Sequence, residues 1–452
     1  MSALGRCFHL QGNTISGSDR QDSALINDLK KENINIWIPH DKELIKQANP
    51  DYVIYSTAIL ENNEELLWAK ENKKQILHRS ELLLHATKSK KIISISGTHG
   101  KTTTSAMTSE MLMDAGFHPS SVLGGILISK NTNVIVGNGE YFIIEGDESD
   151  KSFLKGEPEI AVITNIEADH LENYKGGLNE IKDSFLEFAK KGINKSGLVF
   201  CIDDKITKEI ILKNFDLKNK KLISYGFYSE DQMPKISAKK NKENLSWDIY
   251  LEGKKICTLN PSTSGRHNIL NSLAVFSTGY LLGIDFQKIK QTIENYKGTK
   301  RRFEFIYRSK ELTIIDDYAH HPTEIEATIQ AAKELNPERL LIVLQPHQPL
   351  RLRDLWSDFI KVLKNTSDTL FVTDVYIARG QNIENISSQK LVEEVSKPNI
   401  NYIPGSIEQI AGYLKKIIQK EDLILIMGAG DITYLCLKLI PSKTLDSKSG
   451  NN

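Results

Sequence analysis

The chain has 452 residues, and its 58 basic and 58 acidic side chains balance to no formal net charge. That length exceeds what one hydrophobic core supports and predicts two to four domains. The charge balance excludes the basic surface typical of nucleic-acid binding, and no apolar run approaches the roughly eighteen residues that span a membrane.

This composition favours small molecules as partners, with no nucleic acid, membrane or obligate protein partner indicated. The four cysteines are scattered without a Cys-x-x-Cys pair, so the sequence predicts neither a disulfide framework nor a zinc site. A reducing cytoplasm is the expected location.

Residues 1–88 alternate helices with short strands, which predicts a small parallel sheet with its ligand at the carboxyl edge. Asp19 follows a short strand, at the place where a Rossmann-like fold holds a ribose or reads a nucleotide. Ser56 follows another predicted strand and Arg79 ends the predicted short strand 76–79, and both are candidate substrate contacts. Polar loop residues with no ligand are the alternative for both.

A second region, residues 89–296, opens with a strand at 92–96, a turn and a helix. The turn reads Gly97-Thr98-His99-Gly100-Lys101-Thr102-Thr103. In a phosphate loop the backbone N–H groups face phosphate oxygens, a Lys neutralises charge and a Thr hydroxyl can ligate Mg²⁺. Ile95 stands where the commonest version of this pattern has a Gly. An ordinary Gly-Lys turn is the alternative, but such a turn does not require the Thr residues.

Two later strands of this region end in candidate metal ligands. Glu145 follows the apolar run 141–144, and His170 follows the run 160–163 by a short loop. If both strands run parallel to the phosphate-loop strand, these side chains emerge at the same sheet edge as Lys101. Mg²⁺ prefers oxygen ligands, so Thr102 and Glu145 would suffice for one ion. His170 is either a ligand or an ordinary loop residue, and the neighbouring acids Asp147, Glu148 and Asp150 compete with Glu145.

The rest of this region is less informative. Short strands and Lys-rich segments between 198 and 259 predict a peripheral sheet or insertion. Asn268 and Asn271 then share one face of a predicted helix, where amides can bind an adenine edge. Helix capping explains Asn268 nearly as well.

Residues 297–440 predict a third domain with a second doubly wound sheet, followed by a disordered tail at 441–452. Arg301 and Arg302 in its linker are available to a polyphosphate, with a solvated basic turn as the alternative. Three predicted strand ends carry polar clusters: Asp316-Asp317-Tyr318-Ala319-His320-His321, Gln345-Pro346-His347 and Gly428-Ala429-Gly430-Asp431.

These motifs resemble, in order and along nearly the whole chain, the Mur ligases, which form amide bonds in peptidoglycan precursors with ATP. The segments that carry the resemblance are residues 16–19, 97–104, 145–150, 164–170, 266–271, 301–304, 316–324 and 428–432. The match is closest to the alanine-adding group. One such motif would be weak, whereas eight in register are specific.

The resemblance implies an α/β protein of three domains: an N-terminal Rossmann-like domain for the UDP-sugar, a central P-loop ATPase sheet and a C-terminal Rossmann-like domain. It implies that Gly97 to Thr103 cradle ATP, that Lys101 contacts the β- and γ-phosphates, and that Thr102 and Glu145 hold one Mg²⁺ while His170 holds a second. It also places Asn268 and Asn271 near the nucleotide, Arg302 on the phosphates and Asp317 on the ribose, with His321 and His347 as weaker substrate candidates.

The implied reaction joins L-alanine to the lactyl carboxylate of UDP-N-acetylmuramate. Since carboxylate and γ-phosphate are both anionic, in-line attack needs Mg²⁺, Lys101 and Arg302 to offset their repulsion. The resulting acyl phosphate is then attacked by the deprotonated amine of alanine, and phosphate leaves. Domain closure would complete the ATP site and exclude water.

Three features depart from the family pattern. The family begins with a strand and a Gly-rich turn just before the Met-Ser-Ala-Leu that here is Met1 to Leu4, so we expect that the start has been placed at an internal Met. Gln348 stands where the alanine-adding group usually has an Arg. Some members also carry a carbamylated Lys, for which Lys190 and Lys191 are only nearby candidates.

Other functions remain as alternatives. A ligase that reattaches recycled tripeptide to the UDP-sugar is the nearest, but that group differs where Gln345-Pro346-His347 stands here. Folylpolyglutamate synthase shares the central domain, but the N-terminal Ser16-Gly17-Ser18-Asp19 argues against it. A non-catalytic nucleotide-sugar sensor is opposed by the presence of Lys101, Glu145, His170 and Arg302.

Overall fold

The computed structural model describes residues 1–169, 171–229, 233–241, 246–263, 265–377 and 383–441. The chain divides into two compact units, one of residues 1–262 and 269–297 and the other of residues 263–268 and 298–452. Each unit contains a mainly parallel sheet flanked by helices, which confirms the predicted α/β class. The predicted division of the first unit near residue 88 stays a prediction.

The N-terminal part of the first unit contains α1 (Ser2–Leu10), β1 (Ser16–Ser18), α2 (Ala24–Lys31), β2 (Asn35–Trp37), α3 (Lys42–Ala48), β3 (Tyr52–Tyr55), α4 (Glu64–Glu71), β4 (Gln75–His78) and α5 (Arg79–Ala86). β1 pairs with β2 and β3 with β4, both in parallel. The prediction of one small sheet is wrong in this respect, because no ladder of hydrogen bonds joins the two pairs in the described residues. Arg79 begins α5 rather than ending a strand, because His78 and Glu81 form a capping box there.

The remainder of the first unit contains β5 (Lys91–Ser96), α6 (Lys101–Asp114), β6 (Ser120–Leu127), β7 (Thr132–Ile135), β8 (Tyr141–Gly146), β9 (Ile160–Ile163), α7 (Gly177–Asn194), β10 (Gly197–Cys201), α8 (Lys205–Asn214), β11 (Leu222–Phe227), β12 (Ile236–Lys240), β13 (Trp247–Leu251), β14 (Lys254–Leu259), α9 (Arg266–Leu281) and α10 (Phe286–Asn295). The strands form one sheet in the order β14-β13-β12-β11-β10-β9-β5-β8-β6-β7. β5 lies between β8 and β9 and is parallel to both. The carboxyl ends of these three strands therefore meet at one edge, as predicted from the crossovers.

The segment between 198 and 259 continues this sheet. β10 and β11 extend it in parallel from β9, and β13 and β14 close it as an antiparallel edge. The predicted peripheral sheet is therefore the outer part of the central sheet, because backbone hydrogen bonds join these strands continuously to the phosphate-loop strand.

Alternate residues of the central strands face two separate apolar cores. Ile160 and Val162 of β9 belong to a core shared with α6, α9 and α10, whereas Ala161 and Ile163 belong to a core shared with α7. Side chains in a strand alternate between the two faces, so helices cover both sides of this sheet. Burial on both faces makes β5 rigid, and its last residue sets the position of the loop that follows.

The second unit contains β15 (Glu304–Arg308), β16 (Leu312–Asp317), α11 (Pro322–Lys333), β17 (Arg339–Leu344), α12 (Pro349–Asp354), α13 (Trp356–Asn365), β18 (Thr369–Val372), α14 (Ser388–Val395), β19 (Ile400–Tyr402), α15 (Ile407–Ile417), β20 (Asp422–Met427) and α16 (Thr433–Leu439). Its sheet has the order β15-β16-β20-β17-β18-β19 and is parallel except for β15. The predicted second doubly wound sheet is confirmed. Among the residues that the structure describes, no helix combines the length and apolarity needed to cross a bilayer.

Candidate functional site

The loop between β5 and α6 depends on two glycines. Gly97 has φ 136° and Gly100 has φ 82°, a region that other residues rarely adopt. A Cβ on Gly97 would lie 2.1 Å from Thr164 Oγ1, and one on Gly100 would lie 2.4 Å from Asn271 Oδ1. Backbone conformation and close packing therefore both require glycine at these positions.

The loop is also held by the segment that follows β9. The Asn165 carbonyl accepts a hydrogen bond of 3.0 Å from Thr98 N, and its side-chain oxygen accepts one of 2.8 Å from His99 N. Thr164 Oγ1 donates to the His99 carbonyl at 2.6 Å. Thr164 and Asn165 were noted in the sequence within the family segment 164–170 but were given no role, although their position directly after a buried strand was a usable signal.

Lys101, the first residue of α6, is folded back onto this loop. Its ammonium donates to the carbonyls of Gly97 and Thr98 and to Glu148 Oε1, the last at 2.8 Å. Burial disfavours the charged ammonium, but the carboxylates of Glu148, Asp147 and Glu145 outweigh it and raise the pKa of Lys101. The Lys101 side chain therefore carries a charge at neutral pH.

Thr102 and Glu145 meet at the carboxyl ends of β5 and β8. The Thr102 hydroxyl donates to Glu145 Oε2 at 3.0 Å, and Glu145 Oε1 accepts a hydrogen bond of 2.6 Å from Gly124 N. Glu145 is paired in register with Ile95, two residues before Gly97. Among the acids that competed for the metal role in the sequence, Glu145 is thus the one that contacts Thr102.

Asn271 in α9 also contacts the phosphate-loop region. Thr104 Oγ1 donates to Asn271 Oδ1 at 3.2 Å, and the same oxygen packs against Gly100. Asn271 and Asn268 are 6 % and 5 % exposed, and Asn268 N donates to the Gly265 carbonyl in the first turn of the helix. Asn271 is thereby placed at the loop, while a nucleotide contact of Asn268 stays a prediction.

Arg79 joins the N-terminal part of the first unit to the loop after β8. Its guanidinium forms an ion pair with Asp147 and a second of 3.3 Å with Asp150. Burial opposes ionisation of Asp147, but hydrogen bonds from Ser149 and the charge of Arg79 lower the pKa of this carboxyl. The two acids stand on either side of Glu148 in the sequence, and Glu148 contacts Lys101. Arg79 and Lys101 therefore bind the same short acidic loop.

Glu148 and Tyr174 form a buried pair beside Lys101. The Tyr174 hydroxyl donates to the Glu148 carbonyl at 2.5 Å, and Tyr174 is only 2 % exposed. Glu148 Oε2 is buried and has no hydrogen-bond partner among the described residues. Burial raises the pKa of this carboxyl. Tyr174 could not be predicted from the sequence, because nothing local distinguishes it from an ordinary core tyrosine.

The N-terminal substrate candidates lie at strand ends, as predicted. Asp19 follows β1 and is exposed, and Ser56 follows β3 with its hydroxyl accepting a hydrogen bond from Ala58 N. Glu65 in α4, which was not predicted, accepts hydrogen bonds from the Ser18 hydroxyl, the Trp37 indole and Asp41 N at 2.6, 2.8 and 3.0 Å. This carboxylate fixes the carboxyl ends of β1 and β2 beside Asp19.

Arg301 and Arg302 in the second unit both lie near the Tyr318 ring but differ in their hydrogen bonds. Arg301 donates to the carbonyls of Gly428 and Gly430 at 2.5 and 3.0 Å, so it holds the loop after β20. The guanidinium carbon of Arg302 lies 5.0 Å from the centroid of the Tyr318 ring. Of the two arginines that the sequence offered to a polyphosphate, Arg301 is therefore engaged in the structure of its own unit.

Asp316 and Asp317 end β16 and are both buried. The carboxylate of Asp317 accepts hydrogen bonds of 2.7 Å from Phe303 N and from Ala319 N. Burial raises the pKa of Asp317 to about 6. Asp316 accepts a hydrogen bond of 2.5 Å from the Thr433 hydroxyl. Asp317 thus fixes the backbone at Phe303, next to Arg302, and at Ala319. Its predicted contact with a ribose stays a prediction.

The carboxyl edge of the sheet in the second unit carries His320, His321 and His347. The His320 ring donates from Nδ1 to the Tyr318 carbonyl at 2.9 Å and lies 5.4 Å from the His347 ring, which stacks on Tyr376. Burial lowers the pKa of His320 to about 4. His321 accepts a hydrogen bond from Thr323 N and is the N-cap of α11, while a substrate contact of His321 stays a prediction.

Some of the predicted site residues cannot be assigned a place in the site. His170 lies outside the described residues, as does the predicted tail from 442 onward. Lys190 is exposed, and Lys191 forms an ion pair of 3.2 Å with Glu157, so a carbamylated lysine stays a prediction. In the first unit the structure does bring Lys101, Thr102, Glu145, Asn271 and Arg79 to one sheet edge.

This edge fits a nucleotide polyphosphate with a divalent cation. Backbone N–H groups at the start of α6 and the Lys101 ammonium suit phosphate oxygens, while Thr102 and Glu145 offer the oxygen ligands that Mg²⁺ prefers. Two cations of the described residues, Lys101 and Arg79, are paired with or lie near four carboxylates: Glu145, Asp147, Glu148 and Asp150. That excess of negative charge would repel a polyphosphate unless a divalent cation entered with it.

Three family models match the chain. Residues 1–91 match the Mur ligase family, catalytic domain, residues 95–279 the Mur ligase middle domain, and residues 301–430 the Mur ligase, glutamate ligase domain. Together they cover most of the sequence, in the order that the motifs predict.

Similar proteins span nearly the whole chain. It is 40 % identical to UDP-N-acetylmuramate–L-alanine ligase of Clostridium tetani over 96 % of this chain and 93 % of the relative, and 39 % identical to the protein of that name from Caldanaerobacter subterraneus with the same coverage. The crystal structure of UDP-N-acetylmuramate-alanine ligase MurC from Thermotoga maritima matches with a TM-score of 0.81 and 27 % identity, covering 99 % of this chain and 97 % of that one. A murein peptide ligase from Psychrobacter arcticus shares the fold with a TM-score of 0.70 at 20 % identity, covering 97 % and 95 %.

Proposed function

The chain belongs to the Mur ligase family, and we propose that it joins L-alanine to the lactyl carboxylate of UDP-N-acetylmuramate with ATP, in peptidoglycan precursor synthesis. The observation that carries this proposal is the meeting of Lys101, Thr102 and Glu145 at one sheet edge, in a chain similar to alanine-adding relatives over 96 % of its length. The reaction is an amide-forming ligation that yields ADP and phosphate.

The first unit supplies the nucleotide and metal ligands. Lys101 and the N–H groups that begin α6 bind the β- and γ-phosphates, and Thr102 and Glu145 hold one Mg²⁺. The 3.0 Å contact between the Thr102 hydroxyl and Glu145 supports this pair, because both oxygens can reach one ion. We assign a second Mg²⁺ to His170 on the resemblance alone, and Asn271 to positioning the loop.

The chemistry follows from the charges of the reactants. The lactyl carboxylate and the γ-phosphate repel each other, and Lys101, Arg302 and the bound Mg²⁺ offset that repulsion as the new bond to phosphorus forms. The acyl phosphate that results is attacked by the neutral amine of alanine, and phosphate is expelled. Asp317 contributes by fixing the backbone at Phe303, next to Arg302.

We assign the UDP-sugar to the N-terminal part of the first unit. Asp19 and Ser56 lie at the carboxyl ends of β1 and β3, where parallel sheets bind their ligands. Arg79 supports this assignment, because it lies directly after β4 and its guanidinium forms an ion pair with Asp147 beside the phosphate loop. In the second unit, His321 and His347 are the proposed substrate contacts.

Phosphate release with UDP-N-acetylmuramate tests this function, with alanine, glycine, serine or tripeptide offered as the amine. We expect release with alanine to exceed release with tripeptide at least tenfold. Lys101→Met should abolish release, whereas Lys91→Met, at the exposed opposite end of β5, should leave it unchanged. Faster release with tripeptide would instead assign the recycling reaction, and no release with any amine would favour a nucleotide-sugar sensor.

We also propose that this reaction takes place in the cytoplasm. All four cysteines are buried free thiols, as expected in a reducing compartment. The proposal is checked by fractionating cells and following the protein with an antibody.

A further inference from the structure

The ammonium of Lys101 uses all of its donors on the protein itself. A lysine has three N–H groups, and those of Lys101 reach the carbonyls of Gly97 and Thr98 and the carboxylate of Glu148. A phosphate oxygen can therefore accept a hydrogen bond from Lys101 only if one of these three acceptors is replaced.

Glu148 is the acceptor that a phosphate replaces most readily. The Gly97 and Thr98 carbonyls belong to a loop held by Thr164 and Asn165, so their positions are fixed. Glu148 contributes a side chain with rotatable bonds, and its negative charge repels a phosphate. Its backbone is held in place, because its carbonyl accepts hydrogen bonds from the Tyr174 hydroxyl at 2.5 Å and from Lys151 N at 3.1 Å. Only the carboxylate can leave Lys101.

The release of Lys101 leaves Glu148 in need of another cation. Its side chain is 8 % exposed, and Oε2 has no hydrogen-bond partner among the described residues, so Lys101 is the group that compensates its charge. Arg79 is bound to Asp147 and Asp150. A buried carboxylate that loses its only cation is strongly destabilised. A divalent cation, acting directly or through its bound water, would restore the compensation.

We propose that Glu148 competes with the nucleotide polyphosphate for Lys101, and that it thereby makes nucleotide binding depend on a divalent cation. Glu148 is thus a positioning residue that acts through Lys101. The inference rests on the proposed function, since it requires a polyphosphate at this loop.

Calorimetric titration with the β,γ-imido analogue of ATP tests the proposal, in Mg²⁺ and in EDTA. We expect Glu148→Gln to bind the analogue in EDTA about tenfold tighter than the native chain, because the neutral amide releases Lys101 more easily. The gain in affinity on adding Mg²⁺ should shrink accordingly. Glu140→Gln is the matched control. Glu140 forms an ion pair of 2.9 Å with Lys91 at the exposed end of β5 and β8, so this variant should bind the analogue like the native chain.

A second variant separates competition from simple charge repulsion. In a Lys101→Gln background, Glu148→Gln should no longer tighten binding in EDTA, because there is no Lys101 ammonium for Glu148 and the phosphate to compete for. An equal gain in that background would overturn the proposal, as would unchanged or weaker binding by Glu148→Gln with an unaltered melting temperature. If the native chain fails to bind the analogue even with Mg²⁺, the proposed nucleotide site itself is wrong.

Discussion

The Thr102 hydroxyl donates a hydrogen bond of 3.0 Å to the carboxylate of Glu145, although the two residues lie 43 positions apart. The contact exists because β5 and β8 are adjacent and parallel, so the helix after one strand meets the last residues of the other. It supports the proposal that these two oxygens hold a divalent cation.

Glu145→Gln should weaken the use of Mg²⁺ in catalysis. A neutral amide is a poorer magnesium ligand than a carboxylate, so we expect kcat to fall about 100-fold and the Mg²⁺ concentration for half-maximal rate to rise. Phosphate release measured against Mg²⁺ concentration checks this. Glu140→Gln serves as control, and an unchanged Mg²⁺ requirement in Glu145→Gln would remove Glu145 from the metal site.

Gly100→Ala should destabilise the protein more than Gly116→Ala. Both glycines have φ 82°, so both variants carry the same backbone strain, but only at Gly100 would the new Cβ approach Asn271 Oδ1, at 2.4 Å. We expect an additional loss of about 1–3 kcal/mol in the free energy of unfolding, measured by denaturant titration. Equal losses would mean that Asn271 moves aside freely.

The ion pair between Arg79 and Asp147 should show a measurable coupling energy. Their side chains are 30 % and 32 % exposed, so water screens the pair only in part. A double-mutant cycle with Arg79→Ala and Asp147→Asn is expected to give about 1–2 kcal/mol of coupling in unfolding free energy. The exposed pair Lys42–Glu71 should give less than about 0.5 kcal/mol in the same cycle.

Arg301→Ala and Arg302→Ala should separate stability from catalysis. Arg301 satisfies the carbonyls of Gly428 and Gly430, so its loss should lower the melting temperature by several degrees, or about 1–3 kcal/mol. Arg302→Ala should keep the native melting temperature and lower kcat about 100-fold, because its proposed role is on the transferring phosphate. Calorimetry and phosphate release distinguish the two, and a reversed pattern would contradict both assignments.

His320 should make the stability of the protein depend on pH. Burial lowers its folded pKa to about 4, whereas an unfolded histidine titrates near about 6.5, so the unfolded chain binds the extra proton between these values. Stability attributable to His320 is therefore lost as pH falls through this window, by about 1.4 kcal/mol per pH unit. Glu324 and Arg351 also act on this ring, in opposite directions.

Glutamine at position 320 can keep the donor to the Tyr318 carbonyl without titrating. The difference in unfolding free energy between the native chain and His320→Gln should therefore shrink or reverse from pH 7 to pH 4.5. Asp317 has the opposite effect, because its raised pKa lowers the free energy of unfolding as pH rises from about 4 to about 6. This contribution is common to the native chain and His320→Gln, so it cancels in their difference. Exposed His85→Gln is the control, and a constant difference for His320→Gln would refute the assignment.

The local structure around the phosphate loop could be predicted because it depends on neighbouring residues. An apolar strand, two glycines, a Lys and a run of Thr determine a strand, a turn and a helix start between Lys91 and Asp114. The same holds for elements of the second unit such as β18, where a short apolar run forms the strand Thr369–Val372. The short edge strand β19 was missed, because three residues carry too little periodicity to detect.

The sequence alone therefore determined the kinds of groups present: an ammonium, hydroxyls, acids and an anion-binding helix start, in the order of a known family. Only the tertiary structure decided which acid each group contacts: Thr102 contacts Glu145, and Lys101 contacts Glu148. It also decided that Arg301 is the arginine that stabilises its own unit. The physical reason is that hydrogen bonds and ion pairs act over a few ångströms, and the distances across a sheet are set by strand order rather than by separation along the chain.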